Sequence, residues 1–97
     1  MRLALLVLLF AGCGNPTVID GKNYAKSCTV ASDCVGVFFG NQCQTCACVN
    51  AAISVSDKVT YEADRSDALV ACGPRDAIGC AQCAERQPTC TMQVCGL

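Results

Sequence analysis

Cys34-Val-Gly-Val-Phe-Phe-Gly-Asn-Gln-Cys-Gln-Thr-Cys-Ala-Cys48 carries four of the chain's eleven cysteines. Its first half is rich in β-formers. Along a strand, Val35, Val37 and Phe39 share one face, while Cys34, Gly36 and Phe38 share the other. Gly40-Asn41 reads as a two-residue turn, and residues 42–49 as the returning arm of a hairpin. In that register Cys34 stands opposite Ala47, flanked by Cys46 and Cys48. So small a sheet, with cysteines on or beside it, marks a fold that depends on crosslinks rather than on a large core.

Downstream, residues 57–72 are the best helix candidate. Ser54 with Asp57 three residues on fits a capping box, and Ser56 competes as the cap. At 100° per residue, Val55, Val59, Ala63, Ser66, Leu69 and Val70 fall on one stripe, which is expected to face the core. Cys72 lies off that stripe, so its bridge is expected to reach a loop wrapping the helix end. Gly73-Pro74 stops the helix. Residues 74–88 read as a loop carrying Cys80 and Cys83. Residues 89–96 read as a strand, or as a hairpin turning at Met92-Gln93 with Cys90 facing Cys95. The expected class is small disulfide-rich α+β: short antiparallel sheets or hairpins with one helix, about residues 57–72.

Upstream, residues 14–27 combine Asn, Pro, Gly, Asp and Lys with little periodicity, and read as a tether in which Val18 and Ile19 touch the body. The Cys-rich domain is placed at residues 28–97. Before the tether, residues 3–11 form an apolar run behind Arg2. At 1.5 Å per residue such a helix is roughly 14 Å long, and a bilayer core needs about 20 residues. The charged start, short apolar core and small residues at its end have the form of an export signal over residues 1–12.

Leu9-Phe10-Ala11-Gly12-Cys13 resembles the lipobox of bacterial lipoproteins, with Phe10 where that family usually has Leu. The resemblance implies cleavage before Cys13, a diacylglyceryl group on its sulfur and acylation of the new amine. With Gly14 after the cysteine, it also implies an outer-membrane or cell-surface location. Two or more acyl chains hold a protein stably on a membrane without spanning it. Two other readings make Cys13 an ordinary disulfide cysteine after unlipidated secretion, or the run a buried helix of an unprocessed chain. The odd cysteine count favours lipid, because assigning Cys13 to it leaves ten cysteines able to pair. Cys28-x5-Cys34, the CxxCxC cluster, the helix ending in Cys72 and Cys90-x4-Cys95 resemble small, uncharacterised Cys-rich bacterial lipoprotein domains. That resemblance implies a fold type and brings no activity with it.

Cysteine richness points to an oxidising compartment and a disulfide framework of Cys28, Cys34, Cys43, Cys46, Cys48, Cys72, Cys80, Cys83, Cys90 and Cys95. Each bridge is worth about 2–4 kcal/mol. Beyond Cys13 the aromatic residues are Tyr24, Phe38, Phe39 and Tyr61. Without Arg2, six basic residues face eight acidic ones. That balance offers no footprint for nucleic acid.

Cys43-x2-Cys46 and Cys80-x2-Cys83 have the form of zinc or redox pairs, but oxidation would convert neighbouring thiols to disulfides, and neither pair opens a convincing helix. Assembly of an iron–sulfur cluster before export is opposed by the absence of a twin-Arg signal. No metal site and no cofactor are expected. The chain has no histidine, the commonest general base. Asp57, Glu62, Asp64 and Asp67 crowd one region, where a solvated, dipole-facing role outweighs a catalytic one. No catalytic residue is assigned.

Phe38-Phe39-Gly40, at the expected hairpin tip, is the candidate interaction surface, set against the simpler role of two rings in the core. The expected function is a non-enzymatic, lipid-anchored binding module of the cell envelope. Its partners would be the membrane and an unidentified envelope or extracellular protein. The alternatives are a passive structural envelope component and a thiol–disulfide protein acting through the CxxC pairs.

Overall fold

The computed structural model describes residues 16–74 and 79–97. The expected signal, Cys13 and Gly14 lie outside the described residues. The elements run β1 (Val18–Ile19), β2 (Cys34–Val37), β3 (Gly40–Asn41), β4 (Ala51–Ser54), α1 (Lys58–Cys72), β5 (Thr89–Thr91) and β6 (Val94–Gly96), with single 3-10 turns at Gly21–Asn23, Ala31–Asp33 and Val55–Asp57. They make three antiparallel two-stranded pairs, β1 with β3, β2 with β4 and β5 with β6. With one helix, this is a small disulfide-rich α+β fold, as expected.

The ribbon of β2 and β4 is the centre of the molecule, with Cys34 opposite Ser54 and Val37 opposite Ala51. Alternation along a strand sends neighbours to opposite faces, and here it separates two cores. On one face Val37 and Ile53 pack with Ile19, Tyr24 and Tyr61, joined by the partly buried Val35, Phe39 and Ala51. On the other, Cys34 and Ala52 pack with Cys28 and Cys95, joined by Cys90 and Leu97. The division of Val35, Val37 and Phe39 from Cys34 is the one the alternation predicts.

The expected hairpin across residues 34–49 does not form. Gly40 and Asn41 pair with Ile19 and Val18 instead of turning. Gly40 has φ +139°, and a Cβ there would sit 3.1 Å from the Phe38 ring. The partner of β2 is β4, reached only after residues 38–50. The Asn50 side chain favours this pairing: its Oδ1 accepts from Phe39 N at 2.9 Å, and its Nδ2 donates to Phe39 O at 2.9 Å. A side-chain amide thus continues the ladder past the end of the strand.

The helix occupies nearly the expected residues but presents another face. Val59 and Val70 are 76% and 80% exposed, whereas Tyr61 and Ala68 are buried. The face of α1 turned to the body carries Asp57, Tyr61, Asp64, Ala68 and Cys72, with Tyr61 and Ala68 buried and Asp64 exposed at its edge, and the two carboxylates hide this face from a count of apolar residues. Asp57 Oδ2 accepts from Ala25 N at 2.7 Å, and Asp64 accepts the Tyr24 hydroxyl. Cys72 therefore lies on the face turned to the body. The expected capping box is also absent. Ser54 Oγ donates to Ser27 O at 2.6 Å, and Asp57 makes no side-chain bond to the helix start. Gly73 ends the helix at φ 75°, its N–H bonded to Val70 O, as its position predicts.

Part of the segment expected as a tether belongs to the body. Ile19 and Tyr24 are buried, and extended residues 25–28 thread between β4 and β6. Ser54 N donates to Ala25 O, Cys95 N to Lys26 O, and Cys28 N to Gln93 O. The C-terminal hairpin forms as expected, with Cys90 opposite Cys95 and both turn residues at positive φ, Met92 at 53° and Gln93 at 64°. That is the backbone of a two-residue type I′ turn.

Candidate functional site

All ten cysteines beyond Cys13 are paired, as Cys28–Cys90, Cys34–Cys95, Cys43–Cys72, Cys46–Cys80 and Cys48–Cys83. Their Cα–Cα distances run from 5.5 to 6.0 Å, within the range that bridges without backbone distortion. Neither CxxC closes on itself. Cys43 and Cys46 reach Cys72 and Cys80, and Cys80 and Cys83 reach Cys46 and Cys48.

The bridges form two groups. Cys28–Cys90 and Cys34–Cys95 tie the C-terminal hairpin to the body, spanning 62 and 61 residues. The Sγ atoms of Cys28, Cys34 and Cys95 all lie within 4.8 Å of one another, and all three residues are buried. The turn between Cys28 and Cys34 is held by Asp33. Its carboxylate accepts from Thr29 N at 2.8 Å, Thr29 Oγ1 at 2.7 Å and Val30 N at 3.1 Å. These bonds, that from the Thr29 backbone first, keep the Asp33 carboxyl below its usual range. The other three bridges fasten residues 43–48 to the helix end and to residues 80–83, where Cys46, Cys48, Cys80 and Cys83 are exposed. Beside Cys48–Cys83 lies a groove of about 560 Å³ whose lining includes Val49, Gln82, Glu85 and Arg86.

Phe38, Phe39 and Gly40 are half-buried and do not form a hairpin tip. Phe39 stacks on Tyr24 at 5.9 Å between ring centroids and meets Tyr61 edge-on at 6.4 Å, with Lys26 Nζ 5.8 Å above its ring. The Tyr61 hydroxyl accepts from Phe38 N at 3.1 Å and donates to Phe38 O at 2.9 Å. The stretch is thus tied to the helix. The most exposed large apolar residue among those described is Met92, 90% exposed at the turn of the C-terminal hairpin. Nothing in the chain's periodicity singles out that position, although the turn reading places it at a loop tip.

The carboxylates that crowd the helix are engaged separately. Asp57 and Asp64 bond to Ala25 and Tyr24, and Glu62 lies 3.9 Å from Lys58. Burial, and then the bond to Asp64, push the Tyr24 phenol above its ordinary range. Asp20, Asp64 and Asp67 border an open groove of about 340 Å³ together with Asn23 and Tyr24. Among the described residues no helix is long and apolar enough to cross a membrane.

No protein-family model matches the chain, and no curated protein or solved structure is detectably similar to it.

Proposed function

We propose that the protein is a non-enzymatic envelope lipoprotein, a disulfide-stapled binding module held on the membrane through lipid on Cys13. The observation that carries this reading is the pairing of the cysteines. Five bridges use ten of the eleven, and Cys13, at the end of the apolar run, is the one outside them. A chain extends at most about 3.6 Å per residue, so β1, starting at Val18, is within about 18 Å of an anchor at Cys13. The body would rest close to the headgroups, with its N-terminal edge towards the bilayer and the C-terminal hairpin available to a partner. The absence of histidine supports a binding role over hydrolysis.

Mass spectrometry of the detergent-extracted mature protein tests the reading. The expected mass is that of residues 13–97 with five bridges and two or three acyl chains. Cys13→Ser should leave the membrane fraction. A mature protein without acyl chains, or a Cys13→Ser variant that still sediments with membranes after the same cleavage, overturns it.

A further inference from the structure

The four cysteines that hold the C-terminal hairpin have a second way to pair. In the structure they make two long-range links, Cys28–Cys90 and Cys34–Cys95. The Cys28 sulfur also lies within 4.8 Å of both Cys34 and Cys95 sulfurs, so the two bridges are packed against each other. Across the hairpin, Cys90 and Cys95 are direct cross-strand partners. The Cys95 N–H points away from Cys90 and donates to Lys26 O at 2.7 Å. Cys90 and Cys95 are therefore a non-hydrogen-bonded pair, whose Cα atoms approach to about 4.5 Å, within disulfide range. On the body side, the Asp33 bonds to Thr29 and Val30 fold the chain so that Cys28 and Cys34 converge.

We propose that these four cysteines form a thiol-triggered exchange site, whose reactant is a small thiol and whose product is the locally paired isomer Cys28–Cys34 with Cys90–Cys95. The proposal is independent of the lipid anchor. Cys90 is the accessible end of its bridge, half-buried where Cys28 is buried. An external thiolate attacks the Cys90 sulfur. A mixed disulfide forms there, the Cys28–Cys90 bond breaks, and its electron pair stays on Cys28 as a thiolate. Cys28 then attacks the Cys34 sulfur, forming Cys28–Cys34 and expelling Cys95 as a thiolate. Cys95 attacks the mixed disulfide on Cys90 across the strand pair, forming Cys90–Cys95 and returning the external thiolate. Two disulfides begin the sequence and two end it, so the thiol is a catalyst and no net oxidant or reductant is needed. Both covalent links between the hairpin and the body are lost together. The hairpin, with its exposed Met92 turn, is then held by hydrogen bonds and packing alone.

The other six cysteines lack this option among the described contacts, since no second group of three sulfurs lies as close. They are expected to reopen and close on their own partners. The test incubates the mature protein in a buffer of reduced and oxidised glutathione, quenches with acid and maps the bridges by peptide mass spectrometry. The expected result is Cys28–Cys34 and Cys90–Cys95 appearing together, with Cys43–Cys72, Cys46–Cys80 and Cys48–Cys83 recovered unchanged. Retention of only the original pairs, while the exposed bridges take up glutathione, overturns the proposal. So does scrambling spread evenly over all ten cysteines. A second measurement uses Cys90→Ser, which leaves Cys28 as a built-in thiol. Alkylation of the native variant should then label Cys95 as well as Cys28, and label confined to Cys28 contradicts the exchange.

Discussion

Cys34–Cys95 and Cys48–Cys83 are the same covalent bond in two different settings. The first is buried beside a second bridge and Ala52, and its hairpin is also bonded by backbone to residues 26–28. The second is exposed and ties together two stretches without regular structure. Their spans, 61 and 35 residues, differ too little to separate them. As isolated crosslinks they would be worth about 4.3 and about 3.8 kcal/mol in loop-closure entropy, and each is worth less here because a neighbouring bridge already closes nearly the same loop. The difference lies in the native state. When the buried bridge is replaced by two alanines, the loss of both sulfurs leaves a cavity in a packed core. When the exposed bridge is cut, the freed native loop regains motion and offsets part of what the unfolded chain gains. Crosslinks reinforce packing on one side of the molecule and stand in for it on the other.

Removing one bridge from each side should give the largest effect and the sharpest contrast. Cys34→Ala with Cys95→Ala is expected to cost about 4–5 kcal/mol, and Cys48→Ser with Cys83→Ser about 1–2 kcal/mol, by urea unfolding. Equal losses would break the comparison. Next is Ile53→Ala, since Ile53 is fully buried at the centre of the aromatic side. It should cost about 3 kcal/mol, the range for a large-to-small core change. Tyr61→Phe keeps the ring and removes the hydroxyl that meets both Phe38 backbone groups. Gln42 Nε2 still donates to Phe38 O, so only the N–H is orphaned, and the expected loss is about 1–2 kcal/mol.

The pH dependence follows the same contrast. Tyr24 has its pKa raised by burial and by the bond to Asp64, so the folded state holds this proton more tightly than the unfolded state. The stability it contributes is fully present below about pH 10 and is lost as pH rises further. Urea midpoints should fall above that pH, and Tyr24→Phe should flatten the slope. The smallest effect is expected from Val70→Ser on the outer face of α1, which should stay within about 0.5 kcal/mol.

Short-range patterns carried much of the fold into the sequence. The residue span of α1, its stop at Gly73, the hairpin at Met92-Gln93 and the two-faced alternation of residues 34–37 were all legible, because each depends on neighbours along the chain. The hairpin through Gly40-Asn41 was misread because the alternative partners, Asn50 and β1, act through side-chain amide bonds and a distant segment. The inward face of α1 was misread for a related reason. Its anchors include Asp57 and Asp64, whose hydrogen bonds to residues 25 and 24 tie that face to the body without either aspartate being buried. Ile19 and Tyr24 were hidden among turn-forming residues. The cysteines were legible as a framework, but their connectivity was not, since ten cysteines allow many pairings and only the assembled cores select one.

The same chemistry supports packing at Cys28–Cys90 and Cys34–Cys95 and replaces it at Cys46–Cys80 and Cys48–Cys83. Stepwise reduction with a phosphine under acidic conditions, followed by alkylation and peptide mapping, tests it most directly. The two exposed bridges are expected to open first, while amide-exchange protection in β2 and β4 persists. Opening of Cys34–Cys95 at the same or a lower phosphine concentration would contradict it.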